Sequence, residues 1–261
     1  MSVAPAIAVI PARLGSSRLP RKPLYPLAGH PMIEWVWRRA IASRLFEEVV
    51  IATDSEEIAA AGRGFGAHVE LTDSAHRSGT DRVAEVVQRQ QYSEFDAIVN
   101  IQGDEPFVKA EHLGAALDLV RGGWMVGTIA SPVADLEAWR DPGVVKVIRR
   151  EEGGAALFSR SPIPFVRGRD PTPDELAREP FLRHIGVYAY ARKALLHWVA
   201  LPEDPLERLE SLEQLRPLMA SVPIGVAIVG PADGGVDTPA DAERADHLLR
   251  TNPSTRTPSY D

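Results

Sequence analysis

Apolar runs typical of buried strands alternate with helical patterns along the first half of the chain. Consecutive apolar residues at 7–10 and 49–52, and the mostly apolar run at 97–101, are typical of strands covered on both faces. Apolar residues recur at helical spacing over 31–43 and again over 79–90. Strands that alternate with helices predict an α/β fold whose central sheet is mostly parallel, with right-handed crossovers.

The pattern changes in the second half of the chain. Four strand patterns, at 125–133, 144–150, 155–161 and 185–191, follow one another without long helices between them and predict an antiparallel extension over about 125–191. Residues 166–180 are rich in proline and charge, which is typical of a loop or lid. Further helices are predicted at 192–199, 211–220 and 239–249, with a strand at 225–229. We expect one domain over residues 1–249 and a disordered tail over 250–261.

Composition narrows the class of protein. The chain has 261 residues, 44% of them hydrophobic and 25% charged, as in ordinary globular proteins. The net charge of −7 argues against a general nucleic-acid or membrane surface, so we expect neither as a partner. The chain contains no cysteine, which excludes disulfides and thiolate metal sites. The N-terminus shows no signal-peptide pattern and no transmembrane run is present, so we expect a cytoplasmic protein.

Cations cluster in the loop after the first strand. Arg13, Ser16, Arg18 and Lys22 follow the apolar run at 7–10, at what would be the carboxyl end of a central parallel strand. Open α/β sheets bind ligands at such ends, and cations with hydroxyl and backbone N–H groups can hold a polyphosphate. The loop lacks the GxxxxGK[ST] spacing of a Walker P-loop. The alternative is an ordinary basic surface loop.

Two carboxylates follow strand ends or precede a helix. Asp104 lies in QGDEP directly after the strand at 97–101, and Asp237 lies in GGVDTPADA at a predicted helix start. Each alone reads as a turn or helix-capping residue. Together they could hold one Mg²⁺ against a triphosphate, with waters completing the octahedron.

Several ordered motifs resemble one family closely over about residues 5–247. The motifs include IPARLGSSRLPRKPL, ATDSEEI, HRSGTDRVAEVV, VNIQGDEPF, VVKV, LFSRSPIPF, FLRHIGVYAY, PLERLESLEQLR and GVDTPADAERA. They are similar to those of the 3-deoxy-manno-octulosonate (KDO) cytidylyltransferases. The resemblance implies a Rossmann-like nucleotidyltransferase that uses CTP and Mg²⁺, joins CMP to KDO, releases pyrophosphate and serves lipopolysaccharide synthesis. It also implies a homodimer formed through the antiparallel extension.

The resemblance also implies roles for individual residues. Arg13, Lys22 and Asp104 would be catalytic, and Asp104 and Asp237 would hold magnesium. The residues implied to bind the nucleotide are Arg13, Ser16, Arg18, Lys22, Ser78, Gly79 and Thr80. Those implied to surround the sugar acid are Gln102, Arg160, Arg167, His184, Tyr188, Glu213 and Gln214. One departure is Arg21, where the family usually has glycine, which leaves the conformation of the phosphate loop open.

The sugar-site residues also have ordinary interpretations. Without the resemblance, His184 reads as a structural histidine and Tyr188 as a core residue. Arg160, Arg167, Glu213 and Gln214 read as polar residues on a surface or helix face. Their chemistry nonetheless suits an acid sugar, because guanidinium groups pair with carboxylates while carboxylate and amide groups bind hydroxyls.

Three functional alternatives stay open on the sequence. A sialic-acid cytidylyltransferase or a sugar-1-phosphate nucleotidylyltransferase would use the same first loop, although FSR, RHIGVY and LEQLR suit the KDO enzymes better. An 8-amino form of KDO could replace KDO as acceptor. A nucleotide-binding domain without catalysis is the third, and the Asp104 and Asp237 pair argues against it.

Overall fold

The computed structural model describes residues 5–16, 18–231 and 234–251. The strands are β1 (Ala6–Ala12), β2 (Pro26–Leu27), β3 (His30–Pro31), β4 (Glu48–Thr53), β5 (His68–Leu71), β6 (Ala97–Ile101), β7 (Val126–Pro132), β8 (Lys146–Arg149), β9 (Ala155–Ser159), β10 (Leu182–Ala191) and β11 (Ile224–Ile228). The α-helices are α1 (Met32–Ala42), α2 (Glu56–Gly64), α3 (Gly79–Val87), α4 (Ala110–Arg121), α5 (Leu136–Arg140), α6 (Pro173–Leu176), α7 (Arg192–Ala200), α8 (Pro205–Glu210), α9 (Leu215–Met219) and α10 (Pro239–Thr251). Short 3₁₀ helices cover Lys22–Leu24 and Gln90–Tyr92.

The chain divides into two compact units. The first consists of Met1–Leu113 with Asp233–Asp261, and the second of Gly114–Ala232. The sequence predicts one domain over 1–249, and that the two units fold as one domain stays a prediction. In the described ranges, no helix has the length and apolarity needed to cross a bilayer.

A parallel sheet forms the centre of the first unit. Its strand order is β6-β1-β4-β5, and all three pairings are parallel. The apolar run of β1 is buried along Ala6–Ile10 because neighbouring strands and helices cover it, as the sequence predicts. Ser55 and Ser78 cap α2 and α3, each through a side-chain oxygen that accepts a backbone N–H. These features confirm the predicted α/β class.

Antiparallel pairing dominates the second unit. Strand β10 pairs antiparallel with β7 and β8, and β8 pairs antiparallel with β9. Only β11 joins β7 in parallel. The extension predicted over about 125–191 is therefore present as strands. Gly127 lets helix and strand approach closely, because a Cβ there would lie 2.4 Å from the carbonyl oxygen of Ala116.

The helix predicted at 211–220 is correct only for its second half, where α9 covers Leu215–Met219, and residues 211–214 are not helical. Helix α8 begins earlier, where Asp204 caps its first turn and Pro205 occupies the first helical position, and it ends at Glu210. Ser211 then takes a left-handed conformation with φ of 51°, which stops the helix before α9 begins at Leu215. The residues of LESLEQLR therefore include an interhelical turn.

Other elements differ from the sequence expectations in extent. Helix α4 was not predicted, although its apolar residues recur at helical spacing. Helix α10 runs to Thr251, two residues beyond its predicted end, and residues 252–261 of the predicted tail lie outside the described part of the chain. The 166–180 loop contains α6, whose Leu176 is buried, and the lid role of this loop stays a prediction.

Candidate active site

The predicted phosphate loop follows the end of β1, and a buried leucine of the loop anchors it. Arg13 is exposed directly after the strand. Leu19 is buried in the core of the first unit, and its N–H donates to the hydroxyl of Ser16 at 3.3 Å. Burial of Leu19 therefore fixes the loop and leaves Arg13 and Arg18 at the surface, where an anion can reach them.

Lys22 joins two carboxylates that are far apart in sequence. Its ammonium nitrogen donates to Oδ2 of Asp104 and, at 2.7 Å, to Oδ1 of Asp237. Arg18 pairs with the same Asp237 oxygen at 3.1 Å. We call these four residues the Lys22 clamp. The structure thus brings together two predicted phosphate contacts and both predicted metal ligands.

Burial and charge act in opposite directions on Lys22. Its side chain is only 14% exposed, and burial alone would lower the pKa of the ammonium. The charges and hydrogen bonds of Asp104 and Asp237 outweigh burial, so the pKa of Lys22 is raised. Lys22 is therefore a fixed cation, suited to offset negative charge on a phosphate rather than to exchange a proton.

Two close backbone approaches position the carboxylates. A Cβ on Gly103 would lie 3.1 Å from the carbonyl oxygen of Pro11, so glycine lets the end of β6 pass close to the end of β1. The N–H of Val236 donates to the carbonyl oxygen of Asp104 at 2.9 Å. This bond ties the segment that carries Asp237 to the segment that carries Asp104.

Arg21 adopts a backbone conformation that favours glycine, the residue that the family resemblance leads us to expect here. Its φ of 55° and ψ of 33° are left-handed, a conformation that glycine adopts without strain. The guanidinium is 61% exposed and pairs with Glu57 of α2. Arg21 therefore keeps the turn and directs its side chain to Glu57 rather than into the Lys22 clamp.

The predicted nucleotide-binding residues Ser78, Gly79 and Thr80 form the start of α3. The hydroxyl of Ser78 accepts the N–H of Asp81 at 3.1 Å and donates to the Asp81 carboxylate at 3.0 Å, so it acts as a helix cap. A Cβ on Gly79 would lie 3.1 Å from Pro11 Cγ. The first turn of α3 therefore lies against the end of β1, next to the start of the phosphate loop.

The donor set of the clamp fits Mg²⁺. Asp104 and Asp237 present hard carboxylate oxygens that already converge on one cation, the Lys22 ammonium. No group of three or more His, Cys, Asp or Glu side chains that could hold a metal occurs among the described residues. Mg²⁺ is commonly bound by one or two protein carboxylates, while substrate phosphates and waters supply its other ligands.

Aromatic rings surround the predicted sugar-site residues His184 and Tyr188 in the second unit. The two rings lie 5.2 Å apart, and Tyr188 also contacts Trp198 and Tyr190. Strand β10 has a register irregularity between Ile185 and Tyr188. We call the four rings the His184–Tyr188 cluster.

Hydrogen bonding fixes the tautomer of His184. The Thr128 hydroxyl donates its proton to the carbonyl of Val187 at 2.8 Å, so its oxygen accepts from His184 Nε2 at 2.9 Å. Burial lowers the pKa of His184, which keeps the ring neutral. Nδ1 is then the acceptor nitrogen, able to bind a hydroxyl.

Tyr188 carries a buried hydroxyl group. Its hydroxyl has no hydrogen-bond partner among the described residues. Burial first, and the nearby Tyr190 and Glu213 second, raise the pKa of Tyr188, so the hydroxyl stays protonated. The cluster thus offers a donor from Tyr188 and an acceptor from His184.

Arg160 is engaged by backbone carbonyls. Its guanidinium donates to Glu210 at 2.7 Å, to Pro142 at 2.9 Å and to Ser211 at 3.3 Å. These bonds hold the turn that follows α8 and precedes Glu213 and Gln214. Arg160 is half-buried in the second unit, and its role toward a sugar acid stays a prediction.

The other predicted sugar-site residues differ in exposure. Arg167 is exposed, Gln214 is buried, and Glu213 is half-buried. Gln102 belongs to the first unit, where its carbonyl accepts the N–H of Glu105 at 3.1 Å.

The sequence analysis did not identify a buried lysine that donates a hydrogen bond to the backbone of Arg160. Lys146 is 0% exposed, and its ammonium donates to the carbonyls of Asp141, Val144 and Arg160. Burial lowers its pKa. The signal was present in VVKV, where a lysine stands alone among strand residues.

Comparisons with known proteins agree with this geometry. A family model described as Cytidylyltransferase matches residues 7–224. The chain is similar to a 3-deoxy-manno-octulosonate cytidylyltransferase of Gemmatimonas aurantiaca, with 46% identity over 92% of this chain and 93% of the relative. It is also similar to the enzyme of that name from Stenotrophomonas maltophilia, with 44% identity over 94% of this chain and 97% of the relative.

A solved structure supports the same assignment. CMP:2-keto-3-deoxy-manno-octonic acid synthetase complexed with CTP superposes with a TM-score of 0.85, at 39% identity, over 94% of this chain and 98% of that chain. The matches cover nearly the whole length on both sides. The chain therefore belongs to the cytidylyltransferase family, among the 3-deoxy-manno-octulosonate cytidylyltransferases.

Proposed function

We propose that this chain transfers CMP from CTP to the anomeric hydroxyl of KDO, giving CMP-KDO and pyrophosphate for lipopolysaccharide biosynthesis. The observation that carries the proposal is the Lys22 clamp, in which two phosphate-loop cations meet two carboxylates suited to Mg²⁺. The names of the relatives, and the CTP bound in the solved structure, supply the nucleotide and the acceptor.

The reaction is an in-line displacement at the α-phosphorus of CTP. A bond forms between the anomeric oxygen and the α-phosphorus, the bond from that phosphorus to the bridging oxygen breaks, and the hydroxyl proton is released. Negative charge builds on the departing pyrophosphate. Lys22, Arg13 and Arg18 of the phosphate loop would offset it, and Ser16 would add a hydroxyl.

Asp104 and Asp237 would hold Mg²⁺ as the cofactor. When bound, the ion would polarise the phosphate and lower the pKa of the attacking hydroxyl. The side chain of Asp104 is 24% exposed and that of Asp237 is 42% exposed, so water could complete the coordination of the ion. Ser78, Gly79 and Thr80 would bind the nucleotide through the first turn of α3.

The sugar acid would be bound by neutral and charged groups together. Tyr188 would donate to a hydroxyl, and Nδ1 of His184 would accept from one. Arg160 and Arg167 would pair with the carboxylate. Gln102, Glu213 and Gln214 would bind further hydroxyls.

We also propose that the enzyme is a cytoplasmic homodimer. Phe165 and Leu209 are 80% and 82% exposed, and both lie in the second unit, which contains the antiparallel strands. Exposed apolar side chains of this size suit an interface with a second copy. Analytical ultracentrifugation should give a dimer for the wild type and a weaker one for Phe165→Ser; a wild-type monomer would contradict the proposal.

Pyrophosphate release tests the reaction directly. The assay combines CTP, Mg²⁺ and KDO, beside ATP and UTP as other nucleotides and sialic acid and 8-amino-KDO as other acceptors. Release only with CTP and KDO is expected. Turnover with another acid sugar but not KDO would keep the nucleotide assignment and overturn the acceptor.

Removing the divalent ion tests the cofactor. With EDTA in excess, pyrophosphate release should stop and return when Mg²⁺ is added above the chelator concentration. Undiminished release in EDTA would overturn the metal role of Asp104 and Asp237.

A further inference from the structure

Glu85 of α3 contacts a segment that the reaction scheme does not explain. Residues 72–78 connect β5 to α3 and end at Ser78, the first of the proposed nucleotide-binding residues. The segment has no helix or strand of its own. The N–H of Thr72 donates to the carbonyl of Thr53 at 2.9 Å, and the N–H of Ala75 donates to the carboxylate of Asp73 at 2.8 Å. Side chains of α3 add the remaining contacts described below.

One carboxylate holds two points inside this segment. Oε2 of Glu85 accepts the backbone N–H of Asp73 at 2.8 Å and approaches Nε2 of His76 at 2.6 Å. The other carboxylate oxygen, Oε1, accepts a separate hydrogen bond from Arg89 at 2.9 Å. The side chain is 30% exposed, so these bonds lie partly out of water.

The ends of the segment are held separately. Arg82 of α3 is 3% exposed and donates to the Thr72 hydroxyl, while it also pairs with Asp54 at 3.4 Å. Ser78 is fixed by its capping box with Asp81. Glu85 alone among these α3 residues reaches the interior of the segment, at Asp73 and His76.

Ionisation of Glu85 agrees with this geometry. Burial alone would raise its pKa, but hydrogen bonds from the Asp73 N–H, His76 and Arg89 outweigh burial and lower it. The carboxylate therefore accepts at both oxygens near neutral pH.

We propose that Glu85 is a positioning residue that fixes the 72–78 segment and thereby the affinity for the cytidine nucleotide. The proposal rests on the proposed nucleotide role of Ser78, Gly79 and Thr80. Gly79 packs against Pro11 at the end of β1, so a shift of the segment moves the helix start beside the phosphate loop. Glu85 itself touches no substrate atom in this scheme.

Steady-state kinetics separates positioning from mere stability. For Glu85→Ala we expect KM and calorimetric Kd for CTP to rise about tenfold, with kcat within about twofold and KM for KDO unchanged. Glu85→Gln keeps one acceptor oxygen and should fall between the alanine variant and the wild type. A residue that only stabilises the fold would lower the active fraction, and so kcat, without changing KM.

Arg89→Met is the matched control. Arg89 contacts Glu85, Glu70 and the carbonyl of Leu71, all outside the 72–78 segment. Its loss removes one partner of the Glu85 carboxylate but leaves Asp73 and His76 held. CTP affinity of this variant should stay within about twofold of the wild type.

Limited trypsinolysis measures how often the 72–78 segment opens, and it needs no enzymatic turnover. Arg77 is exposed inside it, so cleavage after Arg77 reports local opening. We expect faster cleavage in Glu85→Gln than in wild type or Arg89→Met, and protection by CTP. CTP affinity and Arg77 cleavage both unchanged in Glu85→Gln would overturn the inference, and so would faster cleavage with unchanged affinity. If the wild type does not release pyrophosphate, the proposed function is overturned instead. The cleavage comparison would still test whether Glu85 fixes the 72–78 segment.

Discussion

The Lys22 clamp and the His184–Tyr188 cluster solve opposite physical problems. The clamp gathers charges at the surface of the first unit, where Arg18 and Asp237 keep access to water. The cluster buries neutral polar atoms among rings in the second unit, where burial keeps His184 uncharged and Tyr188 protonated. A triphosphate is bound by charge, whereas an acid sugar must also be distinguished by its hydroxyls. The difference teaches that removal of clamp charges should affect rate, while removal of cluster atoms should affect sugar affinity.

The largest expected effect is on the clamp. Asp104→Asn keeps the shape of the side chain but removes its charge, and Lys22→Ala removes the fixed cation. Each should lower kcat by about 10²- to 10³-fold, because interactions with developing charge have this magnitude. Pyrophosphate release measures the rate, and thermal unfolding should shift little.

Asp118→Asn is the control for the clamp variants. Asp118 lies on α4 with a side chain that is 75% exposed, so kcat should stay within about twofold. A near-normal rate in Asp104→Asn or Lys22→Ala would break the comparison, because the clamp would then be structural.

The next largest expected effect is on the stability of the second unit. Lys146→Met leaves the carbonyls of Asp141, Val144 and Arg160 without their shared donor, which should cost about 3 kcal/mol of unfolding free energy. Urea unfolding followed by circular dichroism measures the loss. Lys193→Met, at an exposed position of α7, should change it by less than about 0.5 kcal/mol. A loss below about 1 kcal/mol for Lys146→Met would show that water replaces the ammonium.

A smaller effect is expected at Tyr188, where substitution should change sugar affinity without loss of stability. Tyr188→Phe removes a hydroxyl that has no hydrogen-bond partner among the described residues, so the unfolding free energy should stay the same or rise by about 1 kcal/mol. KM for KDO should rise about tenfold, because the sugar loses a donor, while KM for CTP should not change. Initial rates at varied KDO and CTP measure both constants.

Tyr92→Phe should show the opposite pattern. The Tyr92 hydroxyl donates to Glu70 at 2.7 Å, so its loss should cost about 1 kcal/mol of stability and leave KM for KDO unchanged. An unchanged KM for KDO in Tyr188→Phe would remove Tyr188 from the sugar site.

The smallest expected effect is at Arg21. Arg21→Ala keeps the strained left-handed backbone and loses the exposed pair with Glu57, whereas Arg21→Gly loses the pair but relieves the strain. The glycine variant should therefore be more stable than the alanine variant by about 1 kcal/mol in urea unfolding. Both should keep kcat, because Arg21 lies outside the clamp; equal stabilities would mean that the left-handed turn costs nothing.

The sequence predicted the first region better than the second for physical reasons. Continuous apolar runs give β1, β4 and β6 directly, and the loop after β1 carries its cations within ten residues. The meeting of Lys22 with Asp237 could not be read from spacing, because 215 residues separate them. The residues suggested Asp104 and Asp237 as metal ligands and the family resemblance implied Lys22 as a phosphate contact, but neither predicted the bond between Lys22 and Asp237 that the structure shows.

Local patterns failed where tertiary contacts decide the backbone. The break between α8 and α9 depends on the left-handed Ser211 and on Arg160, which donates to the carbonyls of Glu210 and Ser211. Arg160 lies about fifty residues earlier in the chain, so no local window contains the cause. Glu85 differs, because its partners Asp73 and His76 lie only 12 and 9 residues before it, but no helical or strand periodicity spans the loop that separates them.

The burial of Lys146 also makes amine chemistry selective on this protein. The sequence has only four lysines, Lys22, Lys109, Lys146 and Lys193. An acylating reagent can reach Lys193 and Lys109 directly from water. Lys22 is shielded by its two carboxylates, and Lys146 becomes accessible only when the second unit unfolds. Mass spectrometry of labelled peptides would therefore give a footprint in which Lys22 reports on nucleotide occupancy and Lys146 reports on unfolding, both in one sample.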